Sequence, residues 1–89
     1  MKHLDIRVIG KVQGVFYRDT SKAVADQLGV KGIVKNERDG SVYIEAEAEE
    51  ETLKRFVAWC HQGPERAKVT ECIVREGSIK NYPDFEIVR

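Results

Sequence analysis

The sequence predicts an α+β fold in which two helices cover one face of a mostly antiparallel sheet. Three observations carry that expectation. Apolar residues alternate with polar ones in some stretches and recur at helical spacing in others. The two kinds of stretch follow one another as strand, helix, strand, strand, helix, strand, with a short strand to close. Breaks rich in glycine or proline separate them, at Gly29, Asp39-Gly40 and Gly63-Pro64.

Taken in order, His3 to Ile9 sets Leu4, Ile6 and Val8 against Asp5, Arg7 and Ile9, the mark of a half-buried strand. A glycine-bearing turn follows and reaches to about Arg18. From Asp19 to Leu28 the pattern is helical, with Ala23, Val24, Gln27 and Leu28 on one side, and Gly29 ends it. Val30 to Asn36 reads as a second strand with Val30, Gly32 and Val34 on one face. Glu37-Arg38-Asp39-Gly40 supplies a hairpin turn, because Asp-Gly accepts the left-handed backbone such turns need. Ser41 to Ala48 alternates Val42, Ile44, Ala46 and Ala48 with Tyr43, Glu45 and Glu47.

Glu49 to His61 is the clearest helix. Leu53, Phe56, Val57 and Cys60 stand at i, i+3, i+4 and i+7, and three glutamates open it where the helix dipole favours carboxylates. Ala67 to Glu76 forms a fourth strand, a polar connection runs from Gly77 to Asp84, and Phe85 to Val88 is the last strand. This order is the split βαβ, ferredoxin-like arrangement, read as one domain over residues 1–89.

Composition narrows the function classes. Fifteen Lys and Arg balance fifteen Asp and Glu, so no basic field exists to hold a nucleic-acid backbone. No apolar run approaches the roughly 20 residues that span a bilayer, which excludes a helical membrane anchor. The first residues do not resemble a secretion signal. Cys60 and Cys72 leave a lone disulfide open, but a single pair without such a signal favours reduced thiols and a cytoplasmic protein. His3 and His61 have no partners at metal-ligand spacing and read as surface or helix-end residues. A monomer is the default at this size.

The chemistry concentrates in Gly10-Lys11-Val12-Gln13-Gly14-Val15-Phe16-Tyr17-Arg18, a turn at a helix N-terminus with one arginine at its far end. Backbone N–H groups, a helix dipole and a guanidinium converging on one point suit a phosphate-sized anion. The fold alone says little about activity, but the residues say more. Val12 to Arg18 resembles the first signature of the acylphosphatase family, Val-Gln-Gly-Val-x-Phe-Arg. Gly32 to Val42 resembles the second, Gly-Trp-Val-x-Asn followed by a turn of the Asp-Gly-x-Val kind. Leu28-Gly29, Gly63-Pro64, Ala67-x-Val69 and Phe85-x-Ile87 fit as well, so the resemblance spans nearly the whole chain. Tyr17 stands for the usual Phe, Phe16 for a frequent Gly, Lys11 for a frequent Arg, Ile33 for the usual Trp and Ala48 for a frequent Gly. Asp19, directly after the arginine, is expected to face solvent.

The resemblance implies hydrolysis of acyl phosphates to a carboxylate and inorganic phosphate, without metal, cofactor or covalent intermediate. It implies that the phosphoryl group binds to Arg18 and to the backbone N–H groups of Gln13, Gly14, Val15, Phe16, Tyr17 and Arg18. Asn36 would hold the attacking water. The residue types make physical sense: charge spreads over the equatorial oxygens in a loose transition state, and preorganised donors meet it there. Arg18 grips two oxygens with a planar fork that Lys lacks. A carboxamide accepts from and donates to one water without repelling an anion. The competing expectation is a non-catalytic anion- or RNA-binding module of the same fold; the zero net charge and the missing aromatic strand motif weigh against RNA.

Overall fold

The computed structural model describes residues 1–89. Seven elements follow one another: β1 (Lys2–Lys11), α1 (Tyr17–Leu28), β2 (Lys31–Asn36), β3 (Val42–Ala48), α2 (Glu50–Gln62), β4 (Lys68–Gly77) and β5 (Phe85–Val88). The strands form one sheet in the order β4-β1-β3-β2-β5. β1 pairs antiparallel with β3 and β4, β2 antiparallel with β3, and β5 parallel with β2. The α+β, ferredoxin-like expectation therefore holds, and the element bounds shift by one or two residues. The exception with consequences is α1, which starts at Tyr17 and not at Asp19, so Arg18 belongs to the first helical turn.

The period of each segment explains which side it buries. In α1 the buried residues are Tyr17, Ser21 and Ala25, spaced four apart along one stripe. In α2 they are Leu53, Phe56 and Cys60. These stripes lie on the sheet face that carries Ile6, Val8, Val34, Val42, Ile44 and Ala46, all fully buried. Phe56 meets Phe85 edge-on at 5.8 Å between centroids and so fastens α2 to the closing strand. The Tyr17 ring packs on Trp59 at 5.2 Å, and its hydroxyl donates to the Cys60 carbonyl at 2.7 Å. That bond is the partner the extra hydroxyl of Tyr17 needs inside an apolar core. Gly32 admits β2 against β3: a Cβ on it would run into the Glu45 carbonyl oxygen.

The opposite face of the sheet departs from the sequence reading. His3 is 2 % exposed and Glu47 1 %, although the alternation assigns both to the side away from the helices. Here His3 is not a surface histidine. Its Nδ1 lies 2.7 Å from Glu47 Oε2 and its Nε2 2.8 Å from Asp5 Oδ1. The connection between β4 and β5 covers them. Glu47 accepts the backbone N–H of Lys80 at 2.6 Å and of Tyr82 at 3.1 Å, while Glu45 accepts the Tyr82 hydroxyl at 2.7 Å and holds the Lys80 ammonium at 2.8 Å. A strap of polar sequence thus folds back over a charged patch and buries it. Desolvation alone would lower the His3 pKa; its bonds to Glu47 and Asp5 outweigh that and leave it raised. Both cysteines are free, Cys60 in the core and Cys72 half-buried. No helix is long and apolar enough to cross a membrane.

Candidate active site

The loop between β1 and α1 begins behind a β-bulge at Ile9/Gly10, which bends β1 just before the chain turns. Val12 and Val15 drop into the core at 1 % and 4 % exposure and anchor the loop from below. Between them Gly14 takes φ +74, a conformation that costs a side-chain-bearing residue about 1–2 kcal/mol. Phe16, with φ +64, is the N-cap of α1 and is 68 % exposed. The left-handed step at Phe16 reverses the chain between two buried residues, Val15 and Tyr17, and pushes the phenylalanine outward.

These turns leave the loop's amides unspent. No backbone N–H from Gln13 to Asp19 donates to a protein acceptor, and no side chain caps α1. A run of free N–H groups ending at a helix N-terminus is an anion nest, with the helix dipole behind it. Beside it lies a hollow of about 270 Å³, lined by Val12, Gly14, Phe16, Tyr17, Arg18, Asp19 and Asn36. Arg18 is half-buried and its side chain forms no ion pair or hydrogen bond with the protein, so its guanidinium is unneutralised. Asn36, the last residue of β2, closes the other side. Its Oδ1 is buried and has no hydrogen-bond partner. Orphaned buried acceptors are rare in folded proteins and need an explanation.

Of the residues the sequence singled out, Gly14, Phe16, Tyr17, Arg18 and Asn36 meet around one hollow. Gln13 and Val15 contribute backbone to the loop, but Val15 is turned into the core. The Gln13 side chain points elsewhere: its Nε2 donates to the carbonyls of Glu37 at 2.7 Å and Ser41 at 2.8 Å. The sequence carries no signal for that contact, because it depends on where the β2–β3 turn comes to rest. Asp19 is exposed, as expected, yet it also lines the hollow. Its carboxylate opposes an incoming anion and Arg18 offsets it.

A second cluster has the residue types of a metal site. Ligand atoms of His3, Asp5 and Glu45 lie within 4.8 Å of one another. The lone pairs are engaged: Asp5 faces His3 Nε2, and Glu45 holds Lys80, Tyr43 and Tyr82. The cluster's chemistry is that of a buried hydrogen-bond network.

Comparison with known proteins points the same way as the hollow. The family model for acylphosphatase matches residues 4–87. The chain is 46 % identical over 89 residues to the acylphosphatase of Ligilactobacillus salivarius, covering 98 % of each chain. It is 49 % identical over 87 residues to that of Thermotoga petrophila, covering 98 % of this chain and 97 % of the relative. The crystal structure of the Bacillus subtilis acylphosphatase superposes with a TM-score of 0.97 at 39 % identity, over the full length of both chains.

Proposed function

The chain belongs to the acylphosphatase family, and from that premise we propose how its own residues break the carboxyl–phosphate bond of an acyl phosphate. The enzyme is a hydrolase of acid anhydrides; its products are a carboxylate and inorganic phosphate. The observation that supports the reading is the shared hollow, with an unpaired guanidinium on one side, an unpaired carboxamide oxygen on the other and free amides between them.

The phosphoryl oxygens take the N–H groups of Gln13 to Arg18 and the fork of Arg18. As the bond to the carboxylate stretches, negative charge is shared among those oxygens, and the donors already aimed at them stabilise it without reorganising. Asn36 Oδ1 accepts a hydrogen bond from a water and turns its lone pair toward phosphorus. The acceptor has no partner within the protein, and a turn of the carboxamide about its soft terminal torsion brings it to face the hollow and this water. The water's oxygen bonds to phosphorus as the carboxylate leaves with the old bond's electron pair. The water's proton passes to a phosphoryl oxygen. The leaving carboxylate needs no protonation, which is why no acid or base of tuned pKa is required beside Asn36.

The same reading assigns no metal or cofactor, a monomer acting as one domain over residues 1–89, a cytoplasmic location and no nucleic-acid partner. The zero net charge and the two free thiols support it. The test is hydrolysis of benzoyl phosphate beside a phosphate monoester, with and without chelator. Turnover of the first substrate alone, unchanged by chelator, is expected. In Asn36→Ala, kcat drops by about a hundredfold, the scale of a misplaced reactant, while competitive inhibition by inorganic phosphate persists. Inhibition lost together with turnover would place Asn36 in the phosphate cradle and end its assignment to water.

A further inference from the structure

The two walls of the hollow are reached from strands that are not neighbours. Arg18 follows β1, Asn36 ends β2, and β3 runs between these strands in the sheet. Two strand spacings separate them, about 10 Å. The sheet fixes that gap along its length, but both catalytic groups sit at its end, where the ladders stop. The last pair of β2 with β3 is Asn36 with Val42, and the turn beyond it is exposed at Arg38, Asp39 and Gly40. Arg7 of β1 holds the turn through Ser41 Oγ at 3.0 Å and Asp39 at 3.6 Å, but the loop beyond β1 has to be tied to it separately.

We propose that Gln13 is a positioning residue that sets Asn36 against the phosphate cradle; the proposal rests on the water-holding role of Asn36 given above. Its side-chain amide carries two protons, and both are spent across the gap. One goes to the carbonyl of Glu37, the residue directly after Asn36, and one to the carbonyl of Ser41 on the other arm of the turn. Ser41 O also accepts the Glu37 N–H at 2.8 Å, closing the turn. Gln13 therefore grips the turn at its base, on both arms. These are the only hydrogen bonds between residues 12–19 and residues 36–41. The backbone of Gln13 belongs to the cradle, so one residue measures the distance between phosphate and water. Shorter Asn cannot reach, and a Glu carboxylate would face two carbonyl oxygens without a proton to offer.

A double-mutant cycle on the full chain, with benzoyl phosphate as substrate and inorganic phosphate as inhibitor, tests this. Gln13→Met, with Gln13→Asn as the second variant, is expected to lower kcat by about ten- to a hundredfold, as a displacement near 1 Å does. Phosphate inhibition should change less than about threefold, the arginine and amides being retained. In the Asn36→Ala background the same Gln13 change should cost kcat less than about threefold, because the group it positions is already gone. An equal loss of kcat in both backgrounds, or phosphate inhibition weakened as much as kcat, overturns the proposal. If Asn36→Ala lowers kcat but Gln13→Met and Gln13→Asn do not, the positioning role fails while the water-holding role stands. If Asn36→Ala leaves kcat intact, the water-holding role fails, and with it the proposal.

Discussion

Replacing Glu47 by Gln tests whether the buried charges on the helix-free face hold the fold together. Glu47 is 1 % exposed and serves three donors: Oε2 takes the Lys80 N–H and His3 Nδ1, and Oε1 takes the Tyr82 N–H. Gln has the same shape but one acceptor. Whichever way its amide is turned, at least one buried N–H meets another N–H, and the His3 imidazolium loses its nearest counter-charge. A hydrogen bond to a charged group contributes about 1.5–3 kcal/mol, and removing one partner of a buried pair costs about 3–5 kcal/mol. A loss of about 3–5 kcal/mol is therefore expected near pH 5.5. That is a large share of the roughly 5–15 kcal/mol that holds a domain together. The assay is urea unfolding followed by circular dichroism, read as a shift in midpoint.

The pH dependence has a definite sign. Burial would raise the Glu47 pKa, but the bonds from Lys80, His3 and Tyr82 outweigh it and hold the carboxyl below its ordinary 4.5. Its contribution is present above 4.5 and fades as pH falls through the folded value. His3 is raised above its ordinary 6.5, so its contribution is present below 6.5 and fades as pH rises through its folded value. The pair supports the fold most between pH 4.5 and 6.5, and the gap between wild type and Glu47→Gln should close on strong acidification. A variant within about 1 kcal/mol of wild type at pH 5.5, the size of an ordinary neutral hydrogen bond, would refute the reasoning. So would a gap as wide at pH 2.5 as at pH 5.5.

Three further outcomes are expected. Arg18→Ala should lower kcat/KM by about a hundredfold or more without moving the urea midpoint, since the Arg18 side chain bonds to nothing in the protein; Arg18→Lys should recover little, lacking the fork. A large shift in stability would show that the arginine serves the fold. Gly32→Ala should destabilise by more than about 3 kcal/mol, because its Cβ collides with the β3 backbone at a φ of +151°; thermal melting checks it, and a near-neutral change would contradict the packing of β2 on β3. A disulfide reagent should label Cys72 in the native enzyme well before Cys60: burial pushes both thiols up, but Cys72 is only half-buried while Cys60 is closed inside the core. Equal labelling rates would mean that the α2 side of the core opens readily.

The features legible in the sequence are those that arise from neighbours along the chain. Alternation from Leu4 to Val8 and the Leu53-Phe56-Cys60 stripe declare which side of each element must leave water, and only two packed layers satisfy them all. The loop's amides were legible for the same reason. Gly14 and the start of a helix free those donors locally, and Arg18 follows within a turn. The start of α1 was misread by two residues because Tyr17 and Arg18 follow a left-handed Phe16 that no N-cap preference announces.

Contacts between distant segments were decided only on folding. Nothing near His3 indicates that Glu47 and the strap through Tyr82 will bury it, since period-two alternation cannot tell a polar residue facing water from one facing another charge. Nothing near Gln13 indicates that its amide will clasp the turn after Asn36, from 24 and 28 residues away. The sequence by itself determined the fold class and, through its family resemblance, pointed to the loop before α1, Arg18 and Asn36 as the proposed site. The tertiary structure decided the distance between those side chains and the fate of the buried charges, because both depend on how β1, β3 and the β4–β5 connection stack side by side.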